Sequence, residues 1–416
     1  MEPIKALLRP AWRRFYKSYE ETRIRLRTFS VPLDKLLCGG NNGIRAAKYA
    51  QLTGDFLLPS RLAIISPHVK LLDDYEREGE KLFQKEIFEK TEYYQHFATS
   101  IDLTGSNFYD RKEKIIDVAR TFVDQFRGVL NTPASVHPGQ SECGAPVWLR
   151  PIKNSSYYEV IDGHHRIALA HKNKENSVKA LVYYPEPVHT PLQELLLDVL
   201  WINKNKWLYQ PIVSPELSEE WVLIRKCTDR LAYMQTFLEQ QGWLPPHKNK
   251  LTYLDVGSSY GWFVNEMLQR GFEAYGVERD RIAIEVGEKF YHLDASCIRN
   301  MEIGNYLENT QESYDVVSCM SVLHHFILHK NSTDAVSVIK NLDRITKKVL
   351  FIDTAQNHEE AFSPLLPEWD DAYIARWITS HTSFTKVIPL GRDDDRVSPF
   401  ESYYNRTFFA CIRDSQ

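Results

Sequence analysis

Residues 251–263 read LTYLDVGSSYGWF, an apolar run that ends in an aspartate and breaks into small residues. The spacing is Asp255-x-Gly257-x-x-x-Gly261, and Glu278 closes a second apolar run in YGVERD, about 20 residues on. A phosphate-cradling loop needs a lysine after its glycines, and none stands here. A dinucleotide turn wants glycine where Ser259 lies, so that the backbone can approach a pyrophosphate. What remains suits a cationic ligand without phosphates. Asp255 can hold or orient an ammonium, directly or through water, and Gly257 permits the tight turn. Gly261 lets a helix close on the strand, and the Glu278 carboxylate can accept from two ribose hydroxyls.

Two further stretches carry chemistry. In YDVVSCMSVLHHF, His324 and His325 follow an apolar strand, and either can act as a general base near neutral pH. The plainer alternative is that one packs against the sheet and the other shapes a pocket. Asp353 is the nearest carboxylate by topology, too little to define a metal site, and no metal is expected. In VIDGHHRIALA (160–170) a strand ends at Ile161, turns at Asp162-Gly163, and a helix opens at His164 or His165. A helix start offers unpaired N–H groups, and Arg166 adds a planar fork suited to phosphate. Neighbouring helix positions point about 100° apart, so one metal ion cannot easily take both histidines. A phosphate pocket that has become scaffold is the competing reading.

The elements that position these residues fall into four regions. Residues 1–130 read as helical, most clearly over 70–97, where Leu72, Tyr75, Leu82, Phe83 and Ile87 recur at helical spacing. Residues 131–190 alternate turn residues with short apolar runs, a small α/β pattern. Residues 191–250 form a connector. Thr190-Pro191 opens an amphipathic helix, a second helix spans about 219–241, and the proline-bearing LPPHKNK follows. From 251 to 416 strands at 252–256, 274–277, 296–299, 315–319 and 349–353 alternate with helices near 262–270, 281–292 and 333–346. That alternation requires parallel crossovers and a doubly wound sheet. The last two strands, 384–391 and 406–413, have only a loop between them and must pair antiparallel. Before them, Phe362, Trp369, Tyr373 and Trp377 suit either an acceptor wall or core packing.

With LDVGSSYGWF, GVERD, RNMEI, YDVVSCMSVLHHF and the terminal strand pair in view, residues 251–416 resemble a class I S-adenosylmethionine-dependent methyltransferase. The resemblance implies a Rossmann-like, doubly wound, seven-stranded α/β sheet with an antiparallel last strand. It implies that Asp255, Gly257, Ser258 and Gly261 line the methionine part of S-adenosylmethionine, and Glu278 the ribose. Glu302 with Ile303 would meet adenine, although the family often has aspartate at that place. Cys319, Met320 and Ser321 would flank the sulfonium. Residues 131–190 resemble the ParB/sulfiredoxin-like fold, on DGHHR, HPGQ (137–140) and the closing run VKALVYY. That resemblance implies a nucleotide, ATP, ADP or CTP with Mg, held by Gly163, His164, His165 and Arg166, with His137 and Gln140 as partners. The fold's reductase branch needs a cysteine beside the histidine, and its DNA-segregation branch a helix-turn-helix; neither is evident.

Composition narrows the classes. The 416 residues carry a formal net charge of −4, so nothing pulls the whole chain toward nucleic acid. Six cysteines without a Cys-x-x-Cys argue against a disulfide framework or structural zinc and suit a reducing, cytoplasmic setting. No apolar run is long enough to span a bilayer. The basic first 30 residues, with Trp12, Phe15 and Tyr19 between the charges, read as a helix on the protein's own surface or on a membrane or partner. The expectation is a multi-domain methyltransferase acting on a small molecule or glycan intermediate that carries phosphate, as in surface-polysaccharide biosynthesis. The alternatives are a regulatory protein that binds nucleotide and S-adenosylmethionine without turnover, and a nucleic-acid methyltransferase with a basic stripe and salt-dependent binding.

Overall fold

The structure, a computed structural model, describes residues 27–41, 44–105, 111–128, 145–199, 205–244, 250–328, 333–394, 398 and 404–414. The basic stretch before Arg27, and His137 and Gln140, lie outside the described residues. The chain divides into two compact units, 1–194 with 214–220, and 195–213 with 221–416.

The first unit holds a mixed five-stranded sheet of β1 (Phe29–Pro32), β2 (Leu36–Leu37), β3 (Val147–Pro151), β4 (Tyr158–Asp162) and β5 (Ser177–Val182), ordered β1-β5-β3-β4-β2. Two of these strands lie inside the stretch read as helical. Val31, Leu33 and Leu36 are buried there with Val147, Leu149 and Val160 and with Ile167 of the helix His164–Lys172. The helical layer comprises Pro67–Glu78, Glu92–Thr104 and Ile115–Phe126, closed around Leu71, Leu72, Phe97 and Phe122. The single helical run read over 70–97 is therefore broken. Gly79, at φ +60°, ends the first helix, and Thr91 starts the next by accepting from the Tyr94 N–H at 3.1 Å.

The second unit opens with a short parallel pair, β6 (Trp207–Leu208) and β7 (Val222–Leu223), so the helix expected from 219 begins only at Thr228. Its main sheet has seven strands: β8 (Thr252–Val256), β9 (Glu273–Glu278), β10 (Ile298–Asn300), β11 (Tyr314–Met320), β12 (Thr346–Asp353), β13 (Lys386–Arg392) and β14 (Thr407–Ile412). Their order is β10-β9-β8-β11-β12-β14-β13. The first five are parallel, and β14 runs antiparallel to both of its neighbours. Val316, Val317, Leu350 and Phe351 are buried, as strands covered by helices on both faces require. Strand order reverses between β8 and β11. A crevice at the carboxyl ends of those two strands is where such a sheet receives a ligand.

Candidate active site

The turn after β8 is shaped by contacts that only glycine tolerates. Gly257 takes φ +85°, and a Cβ there would stand 2.5 Å from Val322 Cγ2 and 3.4 Å from Ile303 Cδ1. Gly261, at φ +78°, caps the helix Trp262–Gln269 against Ile298 and Leu293. Ser259 between them is also left-handed, at φ +51°, and its N–H donates to Glu278 Oε2 at 2.9 Å. Glu278 Oε1 accepts from the N–H groups of Arg279 and Asp280, at 2.8 and 2.9 Å. A carboxylate has about four acceptor sites, so three are taken and about one remains for a ligand hydroxyl.

Asp255 is buried at the end of β8, and its Oδ1 accepts from Ser318 Oγ at 2.6 Å. Because that hydroxyl donates to Asp255, it accepts from Tyr253 at 2.6 Å. Burial pushes the Asp255 carboxyl up to about 7, against the opposing pull of Ser318 and Arg230. Ser258 turns inward instead: it packs on Gly276, where a Cβ would sit 2.6 Å from its Oγ. Glu302 is exposed and caps the helix Ile303–Asn309 by accepting from Gly304 N–H at 2.8 Å. Cys319 and Met320 are buried in the cores on opposite sides of the sheet, so at the end of β11 their side chains belong to packing.

Ser321 is the junction of a buried charge network that sequence reasoning missed. It is left-handed at φ +58°, and both its N–H and its Oγ donate to Asp353 Oδ1, at 2.6 and 3.0 Å. The same hydroxyl accepts from Arg225 Nη1 and Arg406 Nη1, each at 3.0 Å. Arg230 pairs with Asp353 at 3.3 Å, Arg225 with Asp393, and Arg406 forks onto Glu359 at 2.7 and 2.9 Å. All three arginines and all three carboxylates are buried. Burial alone would raise Asp353, but the Arg225, Arg230 and Arg406 charges outweigh it and hold the carboxyl at about 2. In the sequence only Ser321 and Asp353 stand out, and neither as part of a charge network. Partners separated by 123 positions, as Arg230 and Asp353 are, leave no local signal.

His324 and His325 lie on the short helix Leu323–Ile327 with ring centroids 4.2 Å apart, and His324, buried, meets Phe362 at 5.1 Å. Trp369 belongs to the same core cluster, and Phe362, Tyr373 and Trp377 pack against it. Gln210, from the segment before β7, straps the glycine turn. Its amide donates to Ser258 O at 3.1 Å and accepts from Trp262 N–H at 3.1 Å. Gln356 joins the charge network to an open cleft lined also by His358, Asp371 and Arg392.

In the first unit the DGHHR side chains have internal partners. Gly163 is left-handed at φ +113°. A ring nitrogen of His164 bonds Cys38 O at 2.7 Å, and His165 bonds Tyr93 OH at 2.8 Å. Arg166 donates to Asp162 Oδ2 at 2.5 Å and to the Ala145 and Pro146 carbonyls at 2.9 and 3.0 Å. Among the described residues no group of three or more His, Cys, Asp or Glu side chains is arranged to hold a metal ion. Nor is any helix long and apolar enough to cross a membrane.

Residues 224–384 match the family model described as a methyltransferase domain, so the second unit carries such a domain. No curated protein matches the chain. Among solved structures, WbdD, described as a bifunctional kinase-methyltransferase, is similar at 19% identity and a TM-score of 0.41. That match spans 53% of this chain and 46% of WbdD. Magnesium protoporphyrin IX methyltransferase (ChlM) from Synechocystis PCC 6803 with bound SAM is similar at 19% identity and a TM-score of 0.34, over 45% of this chain and 79% of that one. An S-adenosylmethionine-dependent methyltransferase from Clostridium acetobutylicum ATCC 824 follows at 12% and 0.33, over 44% and 90%. Likenesses this low carry no argument about donor or acceptor.

Proposed function

We propose that this chain transfers a methyl group from S-adenosylmethionine to a small molecule or glycan intermediate. The observation that carries the reading is the glycine turn at the switch point of the sheet. The turn has no phosphate-binding lysine, and a buried aspartate and a strand-end glutamate flank it. Asp255 faces the ammonium, Glu278 takes a ribose hydroxyl, and Ile303, beside Gly257, covers adenine. An acceptor oxygen or nitrogen attacks the methyl carbon as the carbon–sulfur bond breaks, leaving a neutral thioether. His324 or His325 takes the acceptor's proton, a contribution of about 10²–10⁴-fold in rate. Calorimetric titration with S-adenosylhomocysteine tests the donor site. Binding is expected in the wild type, weakened in Glu278→Ala and lost in Gly257→Val, whose side chain meets Val322. No binding to the wild type overturns the reading.

A second proposal concerns the ParB-like reading of the first unit. Gly163, left-handed at φ +113°, opens the helix His164–Lys172, and a helix start is where a nucleotide phosphate would be held. Titration with magnesium–ATP, ADP and CTP, beside Gly163→Val, tests it. Heat that persists in the variant, or is absent from the wild type, removes it.

A further inference from the structure

The five-stranded sheet of the first unit carries a strip of aromatic rings and arginines on the face turned away from the helix His164–Lys172. Along β3, Val147 and Leu149 are buried with Ile167 of that helix, so the alternate residues Trp148 and Arg150 fall on the other face. Tyr183, one residue beyond β5, extends the ladder by donating its N–H to Leu149 O at 2.9 Å. Its ring stacks on Trp148 with centroids 4.4 Å apart and planes 5° apart, and Tyr184 meets it edge-on at 4.8 Å. The guanidiniums of Arg45 and Arg150 lie over the Tyr184 ring at 4.8 and 5.5 Å. Tyr183 is 47% exposed, an unusual place for so large a ring in a stacked pair.

The charge on this strip is unbalanced. Arg150 donates from Nε to the Glu186 carbonyl at 3.2 Å, and among the described residues neither arginine has a carboxylate at ion-pair distance. The acid that faces them is Glu159, opposite Arg150 in the β3–β4 ladder. Glu159 is buried and accepts from Ala46 N–H at 3.3 Å, capping the helix Ala46–Thr53. Burial pushes its pKa up, and the Ala46 N–H and the Arg150 and Arg45 charges pull against that, so one buried acid faces two guanidiniums. Two planar forks beside the exposed Tyr183 ring match a ligand with an anionic group at one end and a stacking face at the other.

We propose that this strip binds a phosphorylated sugar, with the apolar face of the ring on the exposed side of Tyr183, which Trp148 backs, and the phosphate between Arg45 and Arg150. The preference for a sugar rests on the glycan reading of the methyl acceptor; the strip itself does not. The site would give the chain a hold on a phosphorylated glycan end that is separate from the crevice where the methyl group is transferred.

The test uses the full-length chain without methyl donor, by saturation-transfer NMR and calorimetry. The probes are glucose 6-phosphate, glucose, inorganic phosphate and adenosine 5′-monophosphate. Glucose 6-phosphate is expected to bind, with glucose and phosphate each weaker by about tenfold or more. Arg45→Ala and Arg150→Ala are expected to lose about tenfold each, with Arg150→Lys between, because it keeps the charge and loses the fork. Trp148→Ala is expected to lose the saturation signal on the sugar ring. Absence of glucose 6-phosphate binding, equal binding of phosphate alone, tighter binding of the adenosine monophosphate, or unchanged binding in well-folded variants overturns the proposal. Because no donor is present, failure of the methyl-transfer reading is detected separately, by the S-adenosylhomocysteine titration.

Discussion

In the first unit, His68, His96, His164 and His165 converge beside Tyr93, Phe97 and Phe122. The His68 ring centroid lies 5.0 Å from His164, 4.6 Å from His165 and 5.6 Å from His96. In the second unit, three arginines and three carboxylates are buried around Ser321. Burial keeps three of the histidines neutral: it drives His68 far below its usual range, His164 down, and His96 to about 3, with neighbouring imidazoles adding to the effect on His68 and His96. Guanidiniums meet the carboxylates, and Asp353 ends at about 2 and keeps its charge. A buried ionisable group either sheds its charge or finds an opposite one, and this chain uses one solution in each unit.

The largest expected effect comes from breaking the charged solution. Arg406→Ala leaves Glu359 without its fork and removes one of three charges from Asp353, in a place water does not reach. We expect a loss of about 3–5 kcal/mol in denaturant unfolding of the second unit. Arg406→Met combined with Glu359→Gln removes both charges and is expected to recover most of it. A loss in Arg406→Ala no larger than that of an exposed pair would show that the network is not held by charge.

Acid separates the two clusters next. The folded pKa of His96 lies below its unfolded value of 6.5, so the unfolded chain takes up protons that the nest refuses. Stability is lost as pH falls below 6.5, and at pH 5 the loss from His96 is about 2 kcal/mol. Asp353 has the same sign in a lower window: its contribution is present above 3.8 and is lost only as pH falls toward about 2. At pH 5, hydrogen exchange should therefore quicken in the helices Pro67–Glu78 and Glu92–Thr104 while β8, β11 and β12 stay protected. Glu159 and Glu216, raised by burial, favour the folded first unit as pH falls. The nest is accordingly measured as the difference between wild type and His96→Phe, which should have the shallower acid limb.

Neither cluster was legible in the sequence, whereas the second sheet largely was. Its strands declare themselves through apolar runs of the right length between amphipathic helices, and its two late strands have only a loop between them. Local pattern is enough for such elements, since each strand's burial on both faces is written into its own residues. Gly257 and Glu278 were legible for the same reason, because a strand-end turn and a strand-end acid are local features. Arg225, Arg406 and His68 were not, because what defines them is a partner far along the chain. β1 and β2 were lost among helices because four and two residues are too few to set a period. The inward turn of His164, His165 and Arg166 was hidden too. A helix start can direct its side chains to a ligand or to its own core, and only Tyr93, Cys38 and Asp162 decide which.

Asp255 lies in the charged unit but behaves like the histidines, and that exception yields the smallest and sharpest expected effect. Burial, the dominant cause, holds its carboxyl near 7, and its hydroxyl partner Ser318 supplies no full charge. Its folded pKa is raised above the ordinary 3.8, so its contribution to stability is complete below 3.8 and is lost as pH rises through about 7. That sign is opposite to Asp353's. A ligand that brings an ammonium to Asp255 needs the ionised form and must expel the proton at lower pH. Affinity for S-adenosylhomocysteine should then rise by about tenfold between pH 6 and 8, with proton release visible in buffers of different ionisation enthalpy. 5′-Methylthioadenosine, which lacks the amino-acid part, should bind with no such slope, and Asp255→Asn should flatten the slope for S-adenosylhomocysteine. If S-adenosylhomocysteine binds equally well at both pH values, Asp255 does not meet the ammonium, and its burial then serves only the Tyr253–Ser318 relay beneath the turn.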